Sequence, residues 1–353
     1  MLCLLLRNDA NAQSVIVQQG TYLLSNGNVT ITANNCGITG SGNVNLSSAV
    51  LNLMGTQNVN IGTAAFAVKE LAVNKSSGTA LLTNNINVKS KVTFISGLLD
   101  LNTKNLMLDS TASVNGENKN TRIIGANGGE VIISLTLNNP QNANPGNLGA
   151  TITSSKNLGF VTIKRGHKVQ LGSGAFDKSI LRYYYIRPVN NSQLGAALHF
   201  GYLDAELNGV NESAATIFER TNSTSSWVNM GEDVRDVNLN HVVKKNLTSL
   251  AEFTLSNAPV ALSAATENNN SIKMSHHALE LKAWPLPAIG PFNLVLNGAD
   301  ENTEAMIYDN SGRLLQRLTL TPNTPHVVSN LSPGIYFIKT ADATVNSLKI
   351  IVQ

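Results

Sequence analysis

Apolar and polar positions alternate in short runs along most of the chain, a period-2 pattern that predicts strands rather than helices. In Asn28-Val29-Thr30-Ile31, Val29 and Ile31 fall on one face and Thr30 on the other. The phrase recurs as Asn43-Val44-Asn45-Leu46 and Asn58-Val59-Asn60-Ile61, at a step of about 15 residues. Looser echoes follow at Leu71-Ala72-Val73-Asn74, Asn85-Ile86-Asn87-Val88, Leu98-Leu99-Asp100-Leu101 and Leu106-Met107-Leu108. Gly27, Gly42, Gly55 and Gly62 punctuate the runs. So short a unit cannot bury its apolar face alone, but stacked units bury a continuous stripe. The pattern therefore predicts a β-solenoid or β-roll over residues 13–125. An antiparallel meander or sandwich is the competing arrangement at this spacing.

After residue 126 the runs lengthen and become more aromatic. Ala150-Thr151-Ile152-Thr153, Phe160-Val161-Thr162-Ile163-Lys164, Ile180-Leu181-Arg182-Tyr183-Tyr184-Tyr185-Ile186, Ala197-Leu198-His199-Phe200-Gly201-Tyr202 and Ala214-Ala215-Thr216-Ile217-Phe218 read as strands separated by turn signals. They predict a second all-β region over 126–262, a sandwich. A polar, non-periodic stretch over 263–278 reads as a linker. Short alternating strands return over 279–353, with hairpin turns at Asp309-Asn310-Ser311-Gly312 and Pro333-Gly334.

Composition narrows the class. The chain has 353 residues, of which 42% are hydrophobic and only 13% charged, with a net charge of +3. That excludes a long charged coiled coil and charge-driven disorder, and gives no footing for nucleic-acid binding. Two cysteines exclude a disulfide scaffold and a cysteine-ligated zinc cluster. No segment approaches 18 apolar residues, so no transmembrane span is expected. Met1-Leu2-Cys3-Leu4-Leu5-Leu6 followed by Ala10-Asn11-Ala12 resembles the back half of a secretory signal over 1–12, cleaved after Ala12. The basic front half is missing, as expected of a start codon placed too late. Cleavage removes Cys3 and leaves Cys36 as a lone packing residue.

Candidate chemistry is sparse. Asp204 and Glu206, two apart, share a face if they lie on a strand. They are then a carboxylate pair at the short end of glycosidase spacing, calcium ligands with Asn208, or a solvated approach to a hairpin. Lys164, Arg165, His167 and Lys168 form the densest basic cluster, read as an exposed turn or an anionic-glycan contact. Tyr183, Tyr184 and Tyr185 put rings on both faces of a strand, for packing or sugar stacking. His276 and His277, adjacent, would point opposite ways on a strand and do not chelate together. The serine-hydrolase elbow, zinc-protease, Walker and dinucleotide motifs are all missing.

The last stretch carries a resemblance. Tyr308-Asp309 with Gly312-Arg313, then Leu331-Ser332-Pro333-Gly334-Ile335-Tyr336-Phe337, then Lys349-Ile350-Ile351-Val352, together resemble the type A C-terminal sorting domain of Bacteroidetes type IX secretion cargo. The matching positions are Tyr308, Asp309, Gly312, Arg313, Pro333, Gly334, Tyr336 and Lys349. Pro285-Leu286-Pro287 departs from the family's Pro-Asn-Pro. Asp109-Ser110-Thr111 is similar to a short O-glycosylation sequon of that phylum. The resemblance implies an Ig-like β-sandwich over 279–353, recognition by the outer-membrane translocon, removal by a sortase-like protease, and attachment to anionic lipopolysaccharide or release. The expectation is an exported surface or secreted protein, non-enzymatic, adhesin-like or structural, without a cofactor. The alternatives are a carbohydrate-active solenoid enzyme, or a calcium-stabilised module that binds surface glycans.

Overall fold

The computed structural model describes residues 14–172, 174–258, 280–297, 302–322, 324–340 and 348–353. Ala10, Ala12, the linker over 263–278 and the pair His276-His277 lie outside them. The chain divides into two compact units, Met1–Ser263 and Ala264–Gln353. Regular structure among the described residues is strand, apart from three short 3-10 turns.

The first unit opens as a parallel β-solenoid of about six coils. Each coil lays down strands on three faces. On the first, Ser14–Val17, Gly37–Gly40 and Val59–Gly62 stack in parallel, aligning Val15, Ile38 and Ile61. On the second, Leu23 stacks on Val44 and Val44 on Phe66, and beside that row Leu46, Val68, Val88, Leu108 and Ile133 align in another. On the third, Ile31, Leu51, Leu71, Val92 and Val114 form one aliphatic column with a step of roughly 20–22 residues. That step is the coil. The 15-residue interval is shorter because Val44 and Val59 lie on different faces of successive coils. All faces share one alternating pattern, so the phrase marks a strand and not a whole coil.

Asparagines tie the coils at their corners, beyond the backbone ladders. Asn35, in a left-handed conformation (φ 51°), accepts from Thr56 N at 2.6 Å and Gln57 N at 2.8 Å, both one coil on. Asn58 accepts from Thr79 N, Asn85 from Asn105 N, and Asn105 from Glu130 N. Asn suits these corners because it tolerates this conformation and carries its own acceptor. Gly40 is needed where the chain runs close to its neighbour: its φ is +125°, and a Cβ there would meet Val17 O at 2.2 Å.

Glu130–Asn138 changes the architecture. One edge pairs in parallel with Leu106–Leu108 of the solenoid, the other antiparallel with Asn157–His167. From there an antiparallel sheet continues through Arg182–Pro188, Glu252–Asn257, Ala215–Arg220 and Val228–Gly231. A second sheet of Ala150–Thr153, Ala196–Gly201, His241–Leu247 and Val234–Asp236 completes a sandwich. Tyr184 meets Phe200 edge-on across it, ring centres 4.6 Å apart. One apolar core runs from Val17 to Leu255, so solenoid and sandwich share it. Cys36, half-buried, packs against its edge.

The second unit has a three-stranded and a four-stranded sheet, the latter ordered Leu314–Leu320, Thr303–Asp309, Gly334–Thr340, Leu348–Val352. Phe292, Leu294, Ile307, Ile338 and Ile350 fill its own core.

Leu71→Ala removes a fully buried rung of the third column and should destabilise the first unit by about 2–5 kcal/mol. Asn35→Ala deletes two coil-to-coil hydrogen bonds and should cost about 1–3 kcal/mol. Urea denaturation followed by circular dichroism reads both.

Candidate functional site

The largest group of buried ionisable side chains sits where the last coil meets the sandwich. Arg165 and His167, on Asn157–His167, share strand parity with buried Val161 and Ile163 and so point inward. Arg182 and Tyr184 do the same on Arg182–Pro188. Arg165 grips Glu117, from the turn after Ser113–Asn115, through two parallel contacts of 2.8 and 3.0 Å. Glu117 Oε1 also accepts from Ile123 N, closing the last coil. Arg182 Nε lies 2.8 Å from Glu206 Oε2, and His167 Nδ1 is 2.9 Å from Glu206 Oε1. Tyr184 donates toward Leu148 O, which also accepts from Arg165.

Electrostatics follow from these contacts. Burial would raise the Glu206 carboxyl, but Arg182 and His167 hold it well below the ordinary carboxylate range. Burial is likewise outweighed at Glu117, by Arg165 and Arg182. Burial pushes the His167 imidazole down despite its bond to Glu206, so it is neutral at pH 7. Both carboxylates are thus fixed as anions and taken up by arginines. Glu117 braces the last coil against the sandwich through Arg165, while Glu206 ties two sandwich strands together through His167 and Arg182.

This geometry corrects two sequence expectations. Asp204 and Glu206 lie in a 3-10 turn, Asp204–Glu206, not on a strand. They face different surroundings: Asp204 is exposed and accepts from Asn240, while Glu206 is buried. Arg165 and His167 are not in an exposed turn, because strand alternation sends them inward and leaves Lys164 and Lys168 outside. Lys164 pairs with Glu130 at 2.9 Å. Tyr184 packs in the core, and Tyr185 lies under Lys164 and Arg187 on the outer face. Asp109-Ser110-Thr111 is an exposed turn, with Asp109 paired to Lys89. Among the described residues no three His, Cys, Asp or Glu side chains gather to hold a metal ion. Glu117 and Arg182 were missed in the sequence. Arg182 was detectable, since it shares parity with Tyr184 and Ile186.

In the second unit, Asp309 organises the hairpin that follows Tyr308. Its Oδ1 accepts from Ser311 N, Ser311 Oγ and Arg313 N at 3.0, 2.6 and 3.0 Å, and Oδ2 is 3.2 Å from Arg313 Nε. The Ser311 hydroxyl above all, with the Arg313 amide, holds this carboxyl below its usual range. Gly312 closes the turn at φ +82°. Pro333 leads into Gly334–Thr340, where Tyr336 donates its hydroxyl proton to Ser332 O at 2.6 Å. Lys349 pairs with Phe337 across the neighbouring strand.

Residues 282–353 match the family described as a secretion system C-terminal sorting domain. The chain is a cargo of the type IX secretion system. Its sorting domain engages that machinery and directs export to the outer-membrane surface or the extracellular space. No curated protein matches the cargo in sequence. Among the described residues, no helix is long and apolar enough to cross a membrane.

The cargo also carries a shallow groove on the second face of the solenoid. Tyr22, Leu24, Asn43, Asn45, Ala67 and Asn87 line it, around a cavity of about 580 Å³.

Glu206→Gln should cost the cargo about 3–5 kcal/mol by leaving Arg182 buried without its anion, whereas Asp204→Asn should stay within about 0.5 kcal/mol. Acid should act in two stages. The folded His167 value is depressed, so its contribution is present above about pH 6.5 and declines below it. Glu117 and Glu206 are also depressed, so theirs is lost below about pH 4.3. Thermal melts from pH 8 to 3 should show both stages, and His167→Gln should remove the first.

Proposed function

We propose that the exported cargo is a non-enzymatic, adhesin-like or structural protein of the cell surface, with the solenoid groove as its ligand-facing surface. The groove carries this reading. Between Asp9 and Lys69 the chain has no charged side chain and no histidine. The lining from Tyr22 to Ala67 therefore offers amides, a hydroxyl and an exposed Tyr22 ring, with the paired Lys89 and Asp109 beyond Asn87 at its edge. Amides satisfy sugar hydroxyls, and a ring face covers the apolar face of a sugar. Surface glycans are the ligand class that suits such a lining.

In this proposal residues 1–12 are an export signal ending at Ala10-Asn11-Ala12. Residues 13–125 and 126–262 form the functional body, and 263–278 link it to the sorting domain over 279–353. The translocon reads Tyr308, Asp309, Gly312, Arg313, Pro333, Gly334, Tyr336 and Lys349. A sortase-like protease then removes the domain, and the body is joined to anionic lipopolysaccharide or released.

Intact mass and location in a type IX-competent host test the route. Surface material should lack both ends, and deleting residues 279–353 should trap the rest in the periplasm. Normal display of the truncated chain would sink the route. Tyr22→Ala should reduce adhesion to glycan-coated surfaces several-fold with an unchanged melting temperature, because Tyr22 is 64% exposed. Unchanged adhesion would exclude the groove.

A further inference from the structure

His199 lies on Ala196–Gly201 and His241 begins His241–Leu247, on adjacent antiparallel strands. His199 pairs with Val243, and His241 with Gly201, so the histidines are diagonal neighbours. Leu198, Phe200 and Val242 point into the core and are fully buried, so alternation puts both histidines on the outer face. Their ring centres are 5.8 Å apart, with the planes tilted by 33°. His167 and His326 are each hydrogen-bonded, to Glu206 and to Thr321 N. Neither His199 nor His241 has a hydrogen-bond or ion-pair partner among the described residues.

We propose that His199 and His241 form a two-imidazole site for a divalent transition-metal ion of the Cu²⁺, Ni²⁺ and Zn²⁺ class, with water completing the shell. Metal–nitrogen bonds of about 2.0–2.1 Å, at square-planar cis or tetrahedral angles, put two imidazole ring centres roughly 4.5–5.2 Å apart. The observed pair stands at 5.8 Å, so rotation about the side-chain torsions has to aim the nitrogens and close the gap by about 1 Å. Imidazole selects this class over Ca²⁺ and Mg²⁺, which prefer oxygen. The surroundings are mixed. Asp236 pairs with His241 from the next strand and favours a cation, and Thr151 flanks His199 from the other side. Lys245 opposes a cation. The site shares no residue with the solenoid groove and does not depend on the adhesion proposal.

Calorimetric titration of the full chain with CuCl₂, ZnCl₂ and MgCl₂ at pH 7.5 tests it. Saturable one-to-one binding of Cu²⁺, weaker binding of Zn²⁺ and no response to Mg²⁺ are expected. His199→Gln and His241→Gln should each weaken Cu²⁺ binding about tenfold or more, with circular dichroism unchanged. Electron paramagnetic resonance of the copper-loaded protein should show two coordinating nitrogens, falling to one in either single variant. The adjacent pair is the rival source of binding, so His276→Gln/His277→Gln should leave affinity unchanged. Loss of binding in that variant, or tight binding that survives His199→Gln/His241→Gln, would overturn the assignment. So would wild-type protein that binds no Cu²⁺.

Discussion

Each coil of the solenoid has an inward row of aliphatic side chains that only the next coil can cover. Ile31 is covered by Leu51, Leu51 by Leu71, and so on to Val114. Stability is therefore a nearest-neighbour property, and the last coil needs a lid of a different kind. Glu130–Asn138 supplies it by pairing in parallel with the coil behind and antiparallel with the strand ahead. The sandwich follows from that one change of direction.

Burying charge at this junction has a cost that only good geometry offsets. Arg165 meets Glu117 in a two-pronged contact, and Arg182 and His167 converge on Glu206. An apolar junction of equal volume could be as stable. Directional contacts do something apolar contacts cannot, because they fix one angular setting of the sandwich on the coil. The brace also binds the turn at Glu117 to strands from the middle of the sequence, so neither region's end is left to fray.

The two units divide the work. The second carries the sorting domain, with turns held by Asp309 and by the Tyr336 hydroxyl, on a small core of its own. The first carries the exposed surfaces that persist whatever becomes of the sorting domain. Its early coils are uncharged and amide-rich, while its sandwich carries charged side chains of both signs and the paired imidazoles of His199 and His241. These are two chemically distinct faces on one continuous core.

Alternation in Asn43-Val44-Asn45-Leu46 was enough to predict strands, stacking and an all-β chain, because inward and outward positions are set by a local period. The phrases around Asp309 and Pro333 carried the resemblance to a sorting domain for a similar reason, since a turn is specified by the residues that make it. The coil length was not readable, because three faces repeat one pattern and a one-dimensional search finds the nearest likeness, not the stacked partner. Nor was the pairing of Glu117 with Arg165 or of Glu206 with Arg182, each joining residues far apart in sequence. Parity with Ile163 and Tyr184 could have placed Arg165 and Arg182 inward, but the charge of the basic cluster argued for an exposed turn. Only the tertiary structure supplied the anions that make those positions tolerable, because the energy of a buried charge depends on what surrounds it in space.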